Sequence, residues 1–233
     1  MPLKTRLTER FGIEHPILLA PMGMIAGGRL AAAVSNAGGL GLIGGGYGDE
    51  DWLNREFAAA GNARVGCGFI TWSMAKKPHL LDLVLARQPA ALMLSFGSPA
   101  PFAASIREAG IPLICQVQSM AHAREALDVG ADVIVAQGNE AGGHSGRRST
   151  FTLVPEVAYL VANRAPETLV VAAGGVADGR ALAAALMLGA DGVLVGTRFY
   201  ATDAAAAADG IRDAFVAADG DQTIKTTTVD VAR

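Results

Sequence analysis

A chain of 233 residues that is 51% hydrophobic and 18% charged is too apolar for intrinsic disorder and long enough to bury a core without disulfides or a structural metal. Its net charge of −3, with Lys and Arg scattered, leaves no basic stripe to neutralise a phosphate backbone, which argues against nucleic acid as a partner. Cys67 and Cys115 stand far apart without CxxC spacing, so neither a disulfide framework nor a zinc site is signalled, and a reducing cytoplasm suits them.

The basic start (Lys4, Arg6, Arg10) ahead of the apolar stretch from Ile17 mimics a secretory signal. Glu9, Glu14, His15 and Pro16 interrupt it and Pro21 falls inside its apolar part, so the N-terminus reads as mature, folded protein. Two uncharged runs, 30–48 and 88–106, reach the length of a membrane span. Ser35, Asn36 and repeated glycines break the first, and Pro89, Pro99 and Pro101 break the second, so no membrane association is expected.

Along the chain, apolar runs at 17–20, 40–43, 65–69, 91–95, 113–117, 133–136, 169–173 and 192–195 are too short for helices. They lack strict alternation, as parallel strands covered on both faces do. Each is followed by Gly, Pro or Ser and then by a stretch of helical composition: 29–36, 51–59, 78–86, 102–109, 120–129, 155–163, 179–188 and 204–217. The alanine run 204–208 reads as the start of the last helix. Ala109-Gly110, Val129-Gly130 and Leu188-Gly189 supply the glycine that stops a helix. Eight such units predict a single (β/α)₈ TIM barrel over residues 1–233. An open doubly wound sheet is the alternative, because strand closure is not visible in a sequence.

In a barrel, function belongs to the loops after the strands. The first, Ala20-Pro21-Met22-Gly23-Met24, is apolar; a methionine there either pads a flat aromatic cofactor or belongs to the core. Gly39-Leu40-Gly41-Leu42-Ile43-Gly44 matches GxGxxG, but the motif is itself the strand rather than the turn after one, so it is no dinucleotide site. After the sixth strand, residues 138–148 form a long, polar, glycine-rich loop that is costly to order unless something binds there. That loop carries His144, while His15, His79 and His122 are expected at entries on the opposite side or on exposed helix positions. An imidazole suits proton removal near neutral pH, and Arg147 and Arg148 would favour the uncharged ring. After the seventh and eighth strands, Ala173-Gly174-Gly175-Val176, leading into Asp178-Gly179-Arg180, and Gly196-Thr197-Arg198 together suggest a phosphate cradle at a helix start.

These segments resemble the nitronate monooxygenase family, formerly 2-nitropropane dioxygenases, and its relative the FMN-dependent enoyl-ACP reductase. The resemblance runs from the first strand to the eighth, through residues 16–22, 33–41, 137–146, with its Glu140-Ala141-Gly142-Gly143-His144, 172–179 and 188–199. It implies an FMN-binding TIM barrel in which Ala20, Pro21 and Met22 line the flavin, Gln116, Gln137 and Gly143 contact it, Gly174, Gly175, Gly196 and Thr197, next to Ala173, hold its phosphate, and His144 is the catalytic base. It also implies a small-molecule substrate and oxygen as reaction partners, and leaves a homodimer open. Two departures stand out. Gly68 occupies a position where the family usually has Asn, and the chain stops at Arg233, so that it is either a short member or C-terminally truncated. Residues 226–231 look like the family's lead-in to a further C-terminal segment. The expected activity is oxidation of alkyl nitronates. The alternatives are an NAD(P)H-dependent flavin reductase acting on an enoyl thioester or quinone, a flavin-free sugar-phosphate barrel enzyme, and a non-catalytic flavin-binding protein.

Overall fold

Eight apolar runs, each trailed by a helix, have a ready solution in a sheet rolled up on itself and jacketed by those helices. The computed structural model describes residues 3–226. In chain order it runs α1 (Arg6–Phe11), β1 (Ile17–Leu19), α2 (Gly28–Asn36), β2 (Gly41–Gly46), α3 (Glu50–Ala60), β3 (Val65–Ile70), α4 (Thr71–Met74), α5 (His79–Leu85), β4 (Leu92–Ser95), α6 (Ala100–Glu108), β5 (Leu113–Val117), α7 (Met120–Asp128), β6 (Val133–Gln137), α8 (Thr150–Arg164), β7 (Leu169–Ala173), α9 (Gly179–Met187), β8 (Gly192–Val195), α10 (Thr197–Tyr200) and α11 (Asp209–Ala217). The strands are parallel in the order β1-β8-β7-β6-β5-β4-β3-β2. A bridge between Leu18 and Leu40 joins the two ends: Leu19 N donates to Leu40 O at 2.9 Å and Leu40 N to Ile17 O at 3.0 Å. That bridge makes the sheet a barrel and excludes the open alternative.

The barrel is packed rather than hollow. Leu18, Leu40, Leu42, Met93, Ile114, Val135, Val171 and Leu194 form one buried cluster, each full burial contributing about 1.5–3 kcal/mol. Unforeseen by the periodicity, α1 plugs the N-terminal end with the buried Leu7 and Phe11. It is short because Thr5 and Thr8 cap its start reciprocally and Gly12 stops it in the left-handed conformation. A second cluster, with Phe69, Leu92, Cys115, Ile134 and Val193 on the strands and Leu81, Ile106, Val154 and Val157 on the helices, seals the jacket.

Two helix starts differ from expectation by five residues each. Helix α8 begins at Thr150, ahead of Pro155, because the Glu140 carboxylate accepts from the Thr150 amide and serves as its cap. The alanine run 204–208 is not helical. Thr202 Oγ1 donates to Phe199 O at 2.7 Å, Ala205 is buried, and Ala206 N donates to Ile25 O at 3.0 Å, so the run is held as a turn against the β1 loop and α11 starts at Asp209. Of the expected C-terminal lead-in, residues 227–231 lie outside the described residues.

Candidate active site

The inward positions nearest the C-terminal ends of the strands form the mouth of the barrel. Ala20 and Ala173 pack onto the interior cluster, and a Cβ added at Gly196 would stand 3.3 Å from Ala20 Cβ and 3.5 Å from Met22 Sδ. A Cβ at Gly68 would lie 2.7 Å from Pro21 Cβ and 3.3 Å from Met93 Cβ, so the Pro21 ring fills the space that a side chain at position 68 would take. The floor is therefore made of small residues with Pro21 and Met22 over one side. Opposite them stands an amide cluster: Gln137, 7% exposed, accepts at Oε1 from Gln118 Nε2 at 2.6 Å and from Gln116 Nε2 at 3.1 Å. Gln118 carried no sequence signal beyond its spacing of two from Gln116.

The GxGxxG segment is strand, as its composition implied: β2 covers Gly41–Gly46 and is buried throughout. Its register with β3 slips between Gly44 and Gly46, a bulge that turns the chain upward into Tyr47. His79 starts α5 and is exposed, while His122, in the first turn of α7, lines a cleft with Phe96, Gln116 and Gln118. His122 is thus on an exposed helix position, one of the two placements expected for it, at the end of α7 that borders this cleft.

The loop after β6 carries most of the chemistry, and it is tied from within. At its neck, Asn139 N donates to Arg148 O at 2.7 Å and Asn139 Nδ2 to Arg147 O at 3.2 Å. Glu140 accepts from Thr150 N at 2.9 Å and from Thr150 Oγ1 at 2.8 Å. Partial burial pushes the Glu140 carboxyl up, but the backbone and hydroxyl donors at Thr150 and the Lys225 charge outweigh it, leaving the group below its ordinary value. Lys225 Nζ reaches in from the far end of the chain to Asn139 O at 3.0 Å, Ser145 Oγ at 3.1 Å and Gly146 O at 3.0 Å. Neither anchor was foreseen: Lys225 comes from a distant segment, and the Glu140 contact depends on the loop folding back onto the start of α8. Arg148 does not attend to His144: it pairs with Glu156 at 2.8 Å, the carboxylate's hydrogen bonds raising the guanidinium and lowering Glu156 in return.

His144 is half-buried and meets side chains from the other side of the barrel. The Phe96 ring, just after β4, lies edge-on to the imidazole at 5.7 Å, and the Tyr47 hydroxyl, just after β2, stands 3.5 Å from Nε2. Strand β6 is diametrically opposite β2 in the ring of eight, so a residue from the β6 loop that touches Tyr47 has been carried across the mouth. Phe96 has φ 61°, a left-handed conformation that costs a non-glycine residue on the order of 1–3 kcal/mol and collects at functional sites.

The expected anion cradle is only partly as foreseen. Helix α9 is capped by its own Asp178, which accepts from Arg180 N at 3.0 Å and Ala181 N at 3.1 Å and pairs with the Arg180 guanidinium; the side-chain bond from Arg180 holds Asp178 below its usual range. Those amides are committed. What remains is the Gly174-Gly175 turn, with φ of 104° and 73°, and the Gly196-Thr197 turn, whose Thr197 Oγ1 lies 2.5 Å from where a Cβ on Gly142 would be. Gly143, φ 70°, has open space around it. A flat ring with alternating carbonyl and N–H groups on one edge matches this mouth: small residues below, Pro21 and Met22 beside, and glutamine amides offering both donors and acceptors. The residues present fit FMN.

A closed barrel with such a mouth and one histidine loop across it is the architecture of the FMN-binding TIM-barrel class. The chain belongs to the nitronate monooxygenase family, whose profile matches residues 4–65 and 70–233. It is 36% identical over 99% of its length to the (3aS,4S,5R,7aS)-5-hydroxy-7a-methyl-1-oxo-octahydro-1H-indene-4-carboxyl-CoA dehydrogenase of Mycobacterium tuberculosis, of which it covers 65%. It is also 36% identical, over 80% of its length, to the nitronate monooxygenase of Neurospora crassa, of which it covers 60%. Among solved structures, FabK from Thermotoga maritima superposes with a TM-score of 0.88 at 35% identity, covering 97% of this chain and 71% of that one. The chain thus spans 60% to 65% of the length of the two curated relatives.

Proposed function

We propose that the chain, acting over residues 1–233 as one FMN-binding domain, oxidises alkyl nitronates and nitroalkanes with oxygen. The observation that supports this most directly is His144, carried across the barrel mouth and seated against Phe96. In this reading Ala20, Pro21 and Met22 pack on the flavin, Gln116, Gln137 and Gly143 bind its polar edge, and Gly174, Gly175, Gly196 and Thr197, at the end of Ala173, hold its monophosphate. Bound FMN would supply two-electron acceptance from substrate and delivery of those electrons to oxygen. The chain's own part is acid–base and positional. His144 takes the carbon-bound proton of a neutral nitroalkane, or orients the anion where that proton is already gone. The Phe96 edge and the anchored loop fix the ring's place.

The 36% identity to a carboxyl-CoA dehydrogenase favours a second reading, a flavin enzyme working on a thioester with NAD(P)H as electron donor. Anaerobic mixing of the FMN-loaded protein separates the two. Under the first reading ethyl nitronate bleaches the flavin and NADPH does not; bleaching by NADPH alone moves the assignment to the second.

A further inference from the structure

The loop after β2 holds one side chain, Tyr47, in a manner that its role in packing does not require. The bulge between Gly44 and Gly46 lifts the chain, Gly46 and Gly48 take φ of 52° and 80°, and Gly48 N closes the turn on Gly45 O at 2.9 Å. Two donors from the next βα unit clamp it, Ser73 Oγ to Tyr47 O at 2.8 Å and Lys77 Nζ to Gly48 O at 2.6 Å. The Tyr47 ring rests edge-on against Trp72 at 5.8 Å but is 54% exposed. The rigid turn therefore presents the hydroxyl to His144 Nε2, at 3.5 Å, rather than burying the ring. That separation is at the long limit for a hydrogen bond, so the contact is a weak tether and the two groups stand side by side.

We propose that Tyr47 is the oxyanion donor of the reaction: its O–H binds the substrate oxygen that gains charge while His144 removes the proton. This rests on the reading of His144 as a base. In a carbon acid the acidic carbon and the charge-accepting oxygen are two bonds apart, C–N–O in a nitroalkane and C–C–O in a thioester. A base and a donor serving both must be neighbours a few ångströms apart, as this pair is. In the step, the C–H bond breaks, its proton goes to His144 Nε2, and its electron pair moves through the new C=N or C=C bond onto the oxygen that accepts the Tyr47 hydrogen bond. No oxidant is needed.

The test measures proton exchange, which is independent of oxidation. The FMN-loaded protein in D₂O without oxygen is given nitroethane and, separately, acetyl-CoA, and deuterium entry at the acidic carbon is monitored by NMR. The wild type should exchange at least one of them, and Tyr47→Phe should slow that exchange by about 10²- to 10³-fold, the usual loss for one oxyanion donor, with flavin content retained. Planar nitrate, titrated by its effect on the flavin spectrum, should bind the variant more weakly. With ethyl nitronate, whose charge is already formed, the variant should raise KM far more than it lowers kcat. Exchange in Tyr47→Phe equal to wild type overturns the proposal alone. No exchange above background in the wild type overturns the reading of His144 and this proposal with it.

Discussion

His144 is a single ring whose neighbours decide what it can do. Replacing it by Ala should slow neutral nitroalkanes about 10²- to 10⁴-fold, the usual worth of a positioned base, and slow the preformed nitronate far less. Steady-state rates with the two substrates check this, and equal losses with flavin retained would make the histidine a positioning residue. Gly68 is the other informative position. Pro21, with its ring locked to the backbone, fills the place of a side chain there, so Gly68→Asn must shift the β1 loop. Overpacking of this kind costs about 1–3 kcal/mol, a melting point lower by several degrees for a domain of this size, at about 2–4 °C per kcal/mol. The companion change Pro21→Gly, which removes the Cβ as well as the ring, should relieve most of that clash, so the double variant should lose less than the sum of the two single variants, and a thermal scan of all three decides. His144 was legible because a lone histidine in a polar, glycine-rich loop after a strand has few structural uses. Tyr47 was not, because its significance comes from the β2 bulge and from the β6 loop opposite, neither of which leaves a local signature.

At the scale of one element, the histidine loop is ordered by its own contacts, whereas its composition alone suggested that order would need a ligand. Glu140 joins the loop to the start of α8, and its carboxyl lies below the ordinary value of 4.5. A carboxylate with a lowered folded pKa stabilises the loop at every pH above about 4.5 and stops doing so as pH falls through the folded pKa. Exchange of the Thr150 amide should therefore be slow and its protection flat from neutral pH down to that range, then be lost in acid. Glu140→Ala should raise exchange several-fold at neutral pH, as hydrogen bonds worth on the order of 1 kcal/mol imply, and should remove the acid step; hydrogen exchange read by NMR shows both. Where an element is fixed by its own residues the sequence reading holds, as for β5, β7 and β8, which match their apolar runs to the residue. Where a distant group intervenes it fails: α8 starts early because of Glu140, and the alanine run 204–208 stays unwound because Ile25 takes its amide.

For the whole molecule, closure rests on the Leu18–Leu40 bridge and on a wall buried on both sides, and Cys67 and Cys115 lie in that wall on β3 and β5. Their spacing signalled no disulfide framework, but only the closed barrel explains how thoroughly the free thiols are hidden. Burial pushes both up to about 12 from 9.0, with the Glu125 and Asp132 charges adding to the effect at Cys115. Well below the ordinary value the thiols are protonated in both folded and unfolded chains and contribute no pH dependence. Above it the unfolded chain loses the protons and the folded one keeps them, so stability falls by about 1.4 kcal/mol per pH unit for each thiol until the folded groups ionise. The urea midpoint should accordingly drop between about pH 8 and pH 10.5, and the double variant Cys67→Ala, Cys115→Ala should drop less steeply, the difference isolating the thiols from Lys and Tyr titration. In native protein at about pH 8.5 neither thiol should react with iodoacetamide on a timescale at which both react in urea. Fast native alkylation, or equal slopes for wild type and variant, would mean that the wall opens well short of global unfolding.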